Sequence, residues 1–118
     1  MNWKRNSFKI KLNELGEHAK VLKNIFGEIH IVRIEIGDSG PETRIEIETS
    51  ESEKIIYQNI DKDFIDYPVH SGNSEYHSFS GGEKADNLVK YLNHGDLIIR
   101  VFGDPKKTIK RFTLIFEA

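Results

Sequence analysis

The chain has 118 residues, 31% of them charged and 37% hydrophobic, with a formal net charge of −2 and no cysteine. That length allows one domain with a modest core, and the missing cysteines exclude disulfides, thiol nucleophiles and Cys-based zinc sites. No apolar run approaches the ~20 residues of a membrane-spanning helix, and the alternation Ser7-Phe8-Lys9-Ile10-Lys11-Leu12 lacks the apolar core of a signal peptide, so the compartment expected by default is the cytoplasm.

In chain order, Ser7 to Leu12 reads as a short strand, and Asn13 is placed to cap a helix running to about Phe26. Leu15, Ala19, Leu22 and Phe26 recur at helical spacing, and Gly27 stands where a left-handed cap would close the helix. Ile29 to Ile36 and Thr43 to Thr49 flank Gly37-Asp38-Ser39-Gly40-Pro41 and are expected to pair as a hairpin. In the second of these strands Ile45 and Ile47 point one way and Arg44, Glu46 and Glu48 the other, which predicts one buried and one wet face. Lys54 to Asn59 and Phe64 to Val69 are weaker strands, the latter demoted to an edge by Pro68.

His70 to Ser80 reads as an exposed loop. Ala85, Leu88, Val89 and Leu92 then recur at helical spacing and predict a helix over Gly81 to Asn93, with Gly95 as its stop. Leu97 to Phe102 and Thr108 to Phe116, joined by Gly103-Asp104-Pro105-Lys106-Lys107, predict a second hairpin. These elements assemble into a single domain over 1–118 of the α+β class, an antiparallel sheet of five to seven strands with two helices; the alternative is a β-sandwich, because strand signals outnumber helical ones.

The charge is uneven. Residues 1–34 hold seven basic and three acidic side chains, whereas residues 35–66 hold three basic and ten acidic ones, a local balance of −7. Such a surface repels nucleic acid backbones and suits basic partners or cations, or simply keeps a strand face solvated. Lys106, Lys107, Lys110 and Arg111 are the counterexample, a basic turn near the C-terminus.

Ser78-Phe79-Ser80-Gly81-Gly82-Glu83-Lys84-Ala85 resembles the signature motif of ABC-type ATPases, but the GxxxxGK[ST] loop that must accompany it is missing. Two local readings stand. Ser80 and Glu83 have the spacing of a capping box, which needs no ligand. Alternatively, Ser80, Gly81, Gly82 and Lys84 bind an anion through close backbone approach, the helix dipole and a cation, although the Glu83 carboxylate would crowd it. Asp61, Asp63 and Asp66 lack the Gly and closing Glu of an EF-hand. The histidines at 18, 30, 70, 77 and 94 contain no His-x-x-x-His pair, and His30, alternating with Val32, Ile34 and Ile36, reads as a partly buried strand residue rather than a ligand. Neither a metal nor a cofactor is expected. Trp3, Phe8, Tyr57, Tyr67, Phe79 and Tyr91 are scattered without the basic interleaving of a nucleic-acid platform and are mostly assigned to the core.

From Lys54 onward, Ile56-Tyr57, Ile60-Asp61, the helix Leu88-Val89-Lys90-Tyr91-Leu92 before Gly95, Leu97-Ile98-Ile99-Arg100 and Phe112-Thr113-Leu114 resemble the C-terminal part of the VasI/TagO-like accessory proteins of type VI secretion. A second likeness, to the end of a phosphatase-and-tensin-type C2 domain, rests on Gly95-Asp96-Leu97-Ile98 and on Phe112 and Phe116. Neither resemblance implies a catalytic residue. The function expected is therefore a small non-enzymatic binding or adaptor domain that meets a protein partner through Arg44, Glu46 and Glu48. The alternative is a small-molecule binder that sequesters a phosphate-bearing ligand, such as a signalling nucleotide, at Ser80, Gly81, Gly82 and Lys84. Exposed strand edges would also allow a homo-oligomer.

Overall fold

The computed structural model of the chain describes residues 2–38, 42–70, 76–80 and 89–118, with 66–70, 76–80 and 89–90 described by their backbone. Nine strands run through these residues: β1 (Trp3–Lys11), β2 (Glu17–Glu35), β3 (Thr43–Thr49), β4 (Lys54–Ile60), β5 (Phe64–His70), β6 (Tyr76–Ser80), β7 (Val89–Lys90), β8 (Leu92–Phe102) and β9 (Thr108–Glu117). All their pairings are antiparallel. No helix occurs among the described residues, so the α+β expectation with two helices is overturned and the fold is sandwich-like. The segment 13–26, read as the first helix, lies in a turn and in β2, and 89–93, read as the end of the second, lies in β7 and β8. Residues 81–88 of that second helix fall outside the described residues.

The first error has a physical cause in β2. Its register slips between Leu22 and Ile25, where Asn24 takes a φ of 58°, so two inward side chains stand three residues apart instead of two. A bulge of this kind breaks the period-2 alternation by which a strand is recognised. Leu22 and Ile25 are buried as a result, while Leu15, Ala19 and Phe26, the other members of the expected helical stripe of Leu22, are exposed. Asn13 does act as a cap, its Oδ1 accepting from the N–H of Leu15 at 2.9 Å and of Glu17 at 3.0 Å, but it closes a turn that leads into the strand.

Asp96 of β8 holds the bulge. Its carboxylate accepts from the Asn24 N–H at 3.0 Å and from Lys23 Nζ at 3.2 Å. The backbone hydrogen bond from Asn24, with Lys23 adding to it, keeps the Asp96 carboxyl below its ordinary value. A depressed carboxylate stabilises the fold above the ordinary carboxylate range and loses that contribution as the pH falls through its folded value. Asp96→Asn is accordingly expected to flatten the acid limb of the stability curve, measured by chemical denaturation at a series of pH values from neutral into the acid range.

Along its length β2 changes neighbours. Residues 17–28 pair with β8, residues 28–35 with β9, and Val32 to Ile34 also with β5. One layer therefore runs β2-β8-β3-β4 and the other β1-β9-β2-β5, with β6 and β7 attached to β5. The apolar side chains of both layers, among them Ile45, Ile47, Ile99, Ile34, Phe112 and Leu114, belong to one buried cluster. Neither expected hairpin forms: β2 does not pair with β3, nor β8 with β9, and each pairs with other strands. Turn residues dictate that the chain reverses; they do not dictate whether it returns in the same layer or crosses to the other. A tight hairpin does join β3 to β4, where Thr49 Oγ1 accepts from the N–H of Glu51 and of Glu53 at 3.3 and 3.2 Å.

Candidate functional site: a charged and aromatic sheet face

Strand alternation puts Arg44, Glu46 and Glu48 of β3 on the outer side of their layer, as the sequence predicts. Their neighbours come from strands distant in sequence. Arg44 stands between Phe102 of β8 and Asn59 of β4, Glu46 between Arg100 and Tyr57, and Glu48 between Ile98 and Lys54. On the far side of β8, Glu17, Ala19 and Val21 of β2 lie opposite Phe102, Arg100 and Ile98.

Cross-strand charges of opposite sign attract, and on this face they interlock. Glu46 meets two cations, Arg44 Nε at 2.9 Å and Lys54 Nζ at 3.0 Å. The Arg44 contact is an ion pair by distance, with the N–H directed away from the line of a hydrogen bond. Arg100 donates to Glu48 at 2.8 Å. The Arg44 guanidinium also covers the Phe102 ring at 4.4 Å, and Lys54 Nζ lies 4.7 Å from the centre of Tyr57. The wet face expected from the alternation is thus partly closed: the Glu46 side chain is only 8% exposed, and the acidity of this region is answered by Lys54 and Arg100.

Two largely apolar side chains stay exposed beside the network, Tyr57 at 58% and Val21 at 46%. Of the six aromatics expected to be mostly core, Tyr57 and Trp3 lie on the surface, Tyr91 is buried and Phe8 packs on the core, and the side chains of Tyr67 and Phe79 lie outside those described. At the β2 end the face dips into a depression of about 350 Å³ lined by Asn13, Glu17, His18, Ala19, Arg100 and Phe102. The His18 side chain alternates away from this face, opposite the buried Val101.

Of the anion-site residues, Ser80 ends β6 with its backbone opposite Asp66 of β5. Gly81, Gly82 and Lys84 lie outside the described residues. Asp63, weighed as a cation ligand, instead accepts from the Ile36 N–H at 2.9 Å. No helix among the described residues is long and apolar enough to cross a membrane.

No family model matches the chain, and no curated protein matches it. Similar solved structures include PliG of Aeromonas hydrophila, a periplasmic lysozyme inhibitor of g-type lysozyme, at 8% identity, 97% of this chain, 84% of that chain and a TM-score of 0.39. PliG of Salmonella Typhimurium, described in the same terms, matches at 13% identity over 98% of this chain and 86% of that one, with a TM-score of 0.34. The carbohydrate-binding module CBM6cm-2 from Cellvibrio mixtus lichenase 5A, in complex with cellotriose, matches at 8% identity over 95% and 87% of the two chains, with a TM-score of 0.39.

Proposed function

We propose that the chain is a small non-enzymatic binding domain that holds a protein partner on the outer face of the β2-β8-β3-β4 layer. The observation that carries this reading is the pairing of a preordered ion network with apolar side chains left uncovered beside it. Glu46 is paired with Arg44 and Lys54, and Glu48 with Arg100, so a partner would not have to order them. Tyr57 and Val21 offer the apolar area, and tyrosine and arginine are the residues that interfaces favour. Because the glutamates are already matched by cations, the face has no need of the basic partner that the local charge of −7 suggested. Aromatic and apolar complementarity would dominate instead.

Tyr57→Ser and Val21→Lys change this surface without touching the core. Each should cost less than about 1 kcal/mol of stability, and Tyr57→Ser should weaken a partner captured from the native source by about tenfold. The check compares capture by the parent and by both folded variants and then measures the affinity of the recovered partner. Undiminished affinity in both variants would remove this face from the proposal.

A further inference from the structure

At the opposite layer, where β2 passes to β9, three metal-ligating side chains converge. We propose that Glu28, His30 and Glu117 form a zinc-type divalent cation site. Glu28 and His30 are two residues apart in β2, and Glu117 of β9 stands directly opposite Glu28. His30 Nε2 lies 3.4 Å from Glu117 Oε2 and 3.7 Å from Glu28 Oε2, and one ligand atom from each of the three lies within 4.8 Å of the others.

The 3.4 Å between His30 and Glu117 is the spacing of two ligands of one metal. Bonds of about 2.0–2.1 Å from zinc to tetrahedrally placed N and O ligands put those ligands about 3.3–3.4 Å apart, whereas an N–H···O hydrogen bond closes to about 2.9–3.0 Å. Charge points the same way. Two carboxylates placed opposite each other on neighbouring strands repel, and a dication between them turns that repulsion into attraction. One imidazole with two carboxylates is a nitrogen and oxygen set suited to zinc and its transition-metal neighbours, not the all-oxygen shell that calcium and magnesium prefer.

The surroundings hold the ligands and leave a way in. The Trp3 ring lies 4.4 Å from that of His30, tilted by 58°, and restricts how the imidazole can turn. The side chains of His30 and Glu117 are 15% and 25% exposed, while that of Glu28 is 52% exposed and opens the cluster to solvent. Three protein ligands leave a fourth tetrahedral position for water or for a donor from another molecule. The sequence alone hid the site, because its third ligand lies 87 residues beyond His30 by residue number.

Trp3 is the single tryptophan of the chain, so its emission reports on this corner. Untagged protein titrated with zinc at neutral pH should bind one ion per chain by calorimetry, change its Trp3 emission saturably and gain thermal stability. Cobalt in place of zinc should give the intense visible bands of tetrahedral coordination. His30→Gln and Glu117→Gln should each weaken zinc by more than the ~10-fold that loss of an outer-sphere partner costs, and Trp3→Phe should keep the calorimetric affinity while losing the optical signal. Absence of calorimetric binding by the parent protein at millimolar zinc would overturn the site. So would zinc binding of parental strength by a folded His30→Gln, which would assign the ion to other side chains. If either glutamine variant fails to fold, the cobalt spectrum of the parent decides, and octahedral bands or none count against the proposal.

Discussion

Gly27→Ala is expected to destabilise the protein by about 3–5 kcal/mol, at the upper end of what one substitution does. Gly27 has a φ of 137°, a region L side chains rarely adopt, and a Cβ built there would lie 1.9 Å from the carbonyl oxygen of Glu117 and 3.0 Å from the Ala118 Cα. Both partners are backbone, so no side chain can rotate out of the way. The residue sits where β2 exchanges its pairing with β8 for pairing with β9, and a close approach of this kind is what a strand glycine permits. Denaturant titration should show the loss as a lower midpoint. A decrease below about 1 kcal/mol, the ordinary cost of a mild substitution, would mean that the end of β9 does not lie against Gly27.

Glu46→Lys should also cost about 3–5 kcal/mol, far more than a charge reversal on an open surface. Its carboxylate joins Arg44 and Lys54 and is almost fully covered by them. A lysine there would bring three cations together with no anion between them, and the two original cations would lose their shared partner. Thermal or chemical unfolding of the variant is the measurement, with Tyr57→Ser as the reference on the same face. A Glu46→Lys protein as stable as the Tyr57→Ser protein would show that the network is solvated and contributes little.

The local parts of this architecture were legible and the distant ones were not. Alternation alone placed Arg44, Glu46 and Glu48 on one side of a strand and Ile45 and Ile47 on the other, because side-chain direction in a strand is a local property. What surrounds those residues depends on register between strands: Arg100 bonds Glu48 across 52 residues of sequence, and no spacing rule connects them. The sandwich alternative rested on the number of strand signals, and the helices were favoured wherever apolar residues fell three or four apart. The stripe Leu15, Ala19, Leu22 and Phe26 leading into β2 has helical spacing, yet of the four only Leu22 is buried, and Ile25, brought inward by the slip at Asn24, lay outside it. Glycine misled in the same way. Gly27 was read as the end of a helix, when its positive φ serves a crossing of two strands.

The pairing of β1 also dictates when the chain can fold. Among the described strands β1 pairs with β9 alone, and Ser7 meets Thr113 across 106 residues of sequence. A chain emerging from the ribosome would hold β1 without its neighbour until β9 has been synthesised. The layer to which both belong would have to assemble once β9 has emerged, through the long loop closures that slow β-rich proteins. During that interval Phe8 and Ile10 would be open to other chains, which makes chaperone capture or premature aggregation a hazard of biosynthesis that the finished protein no longer carries.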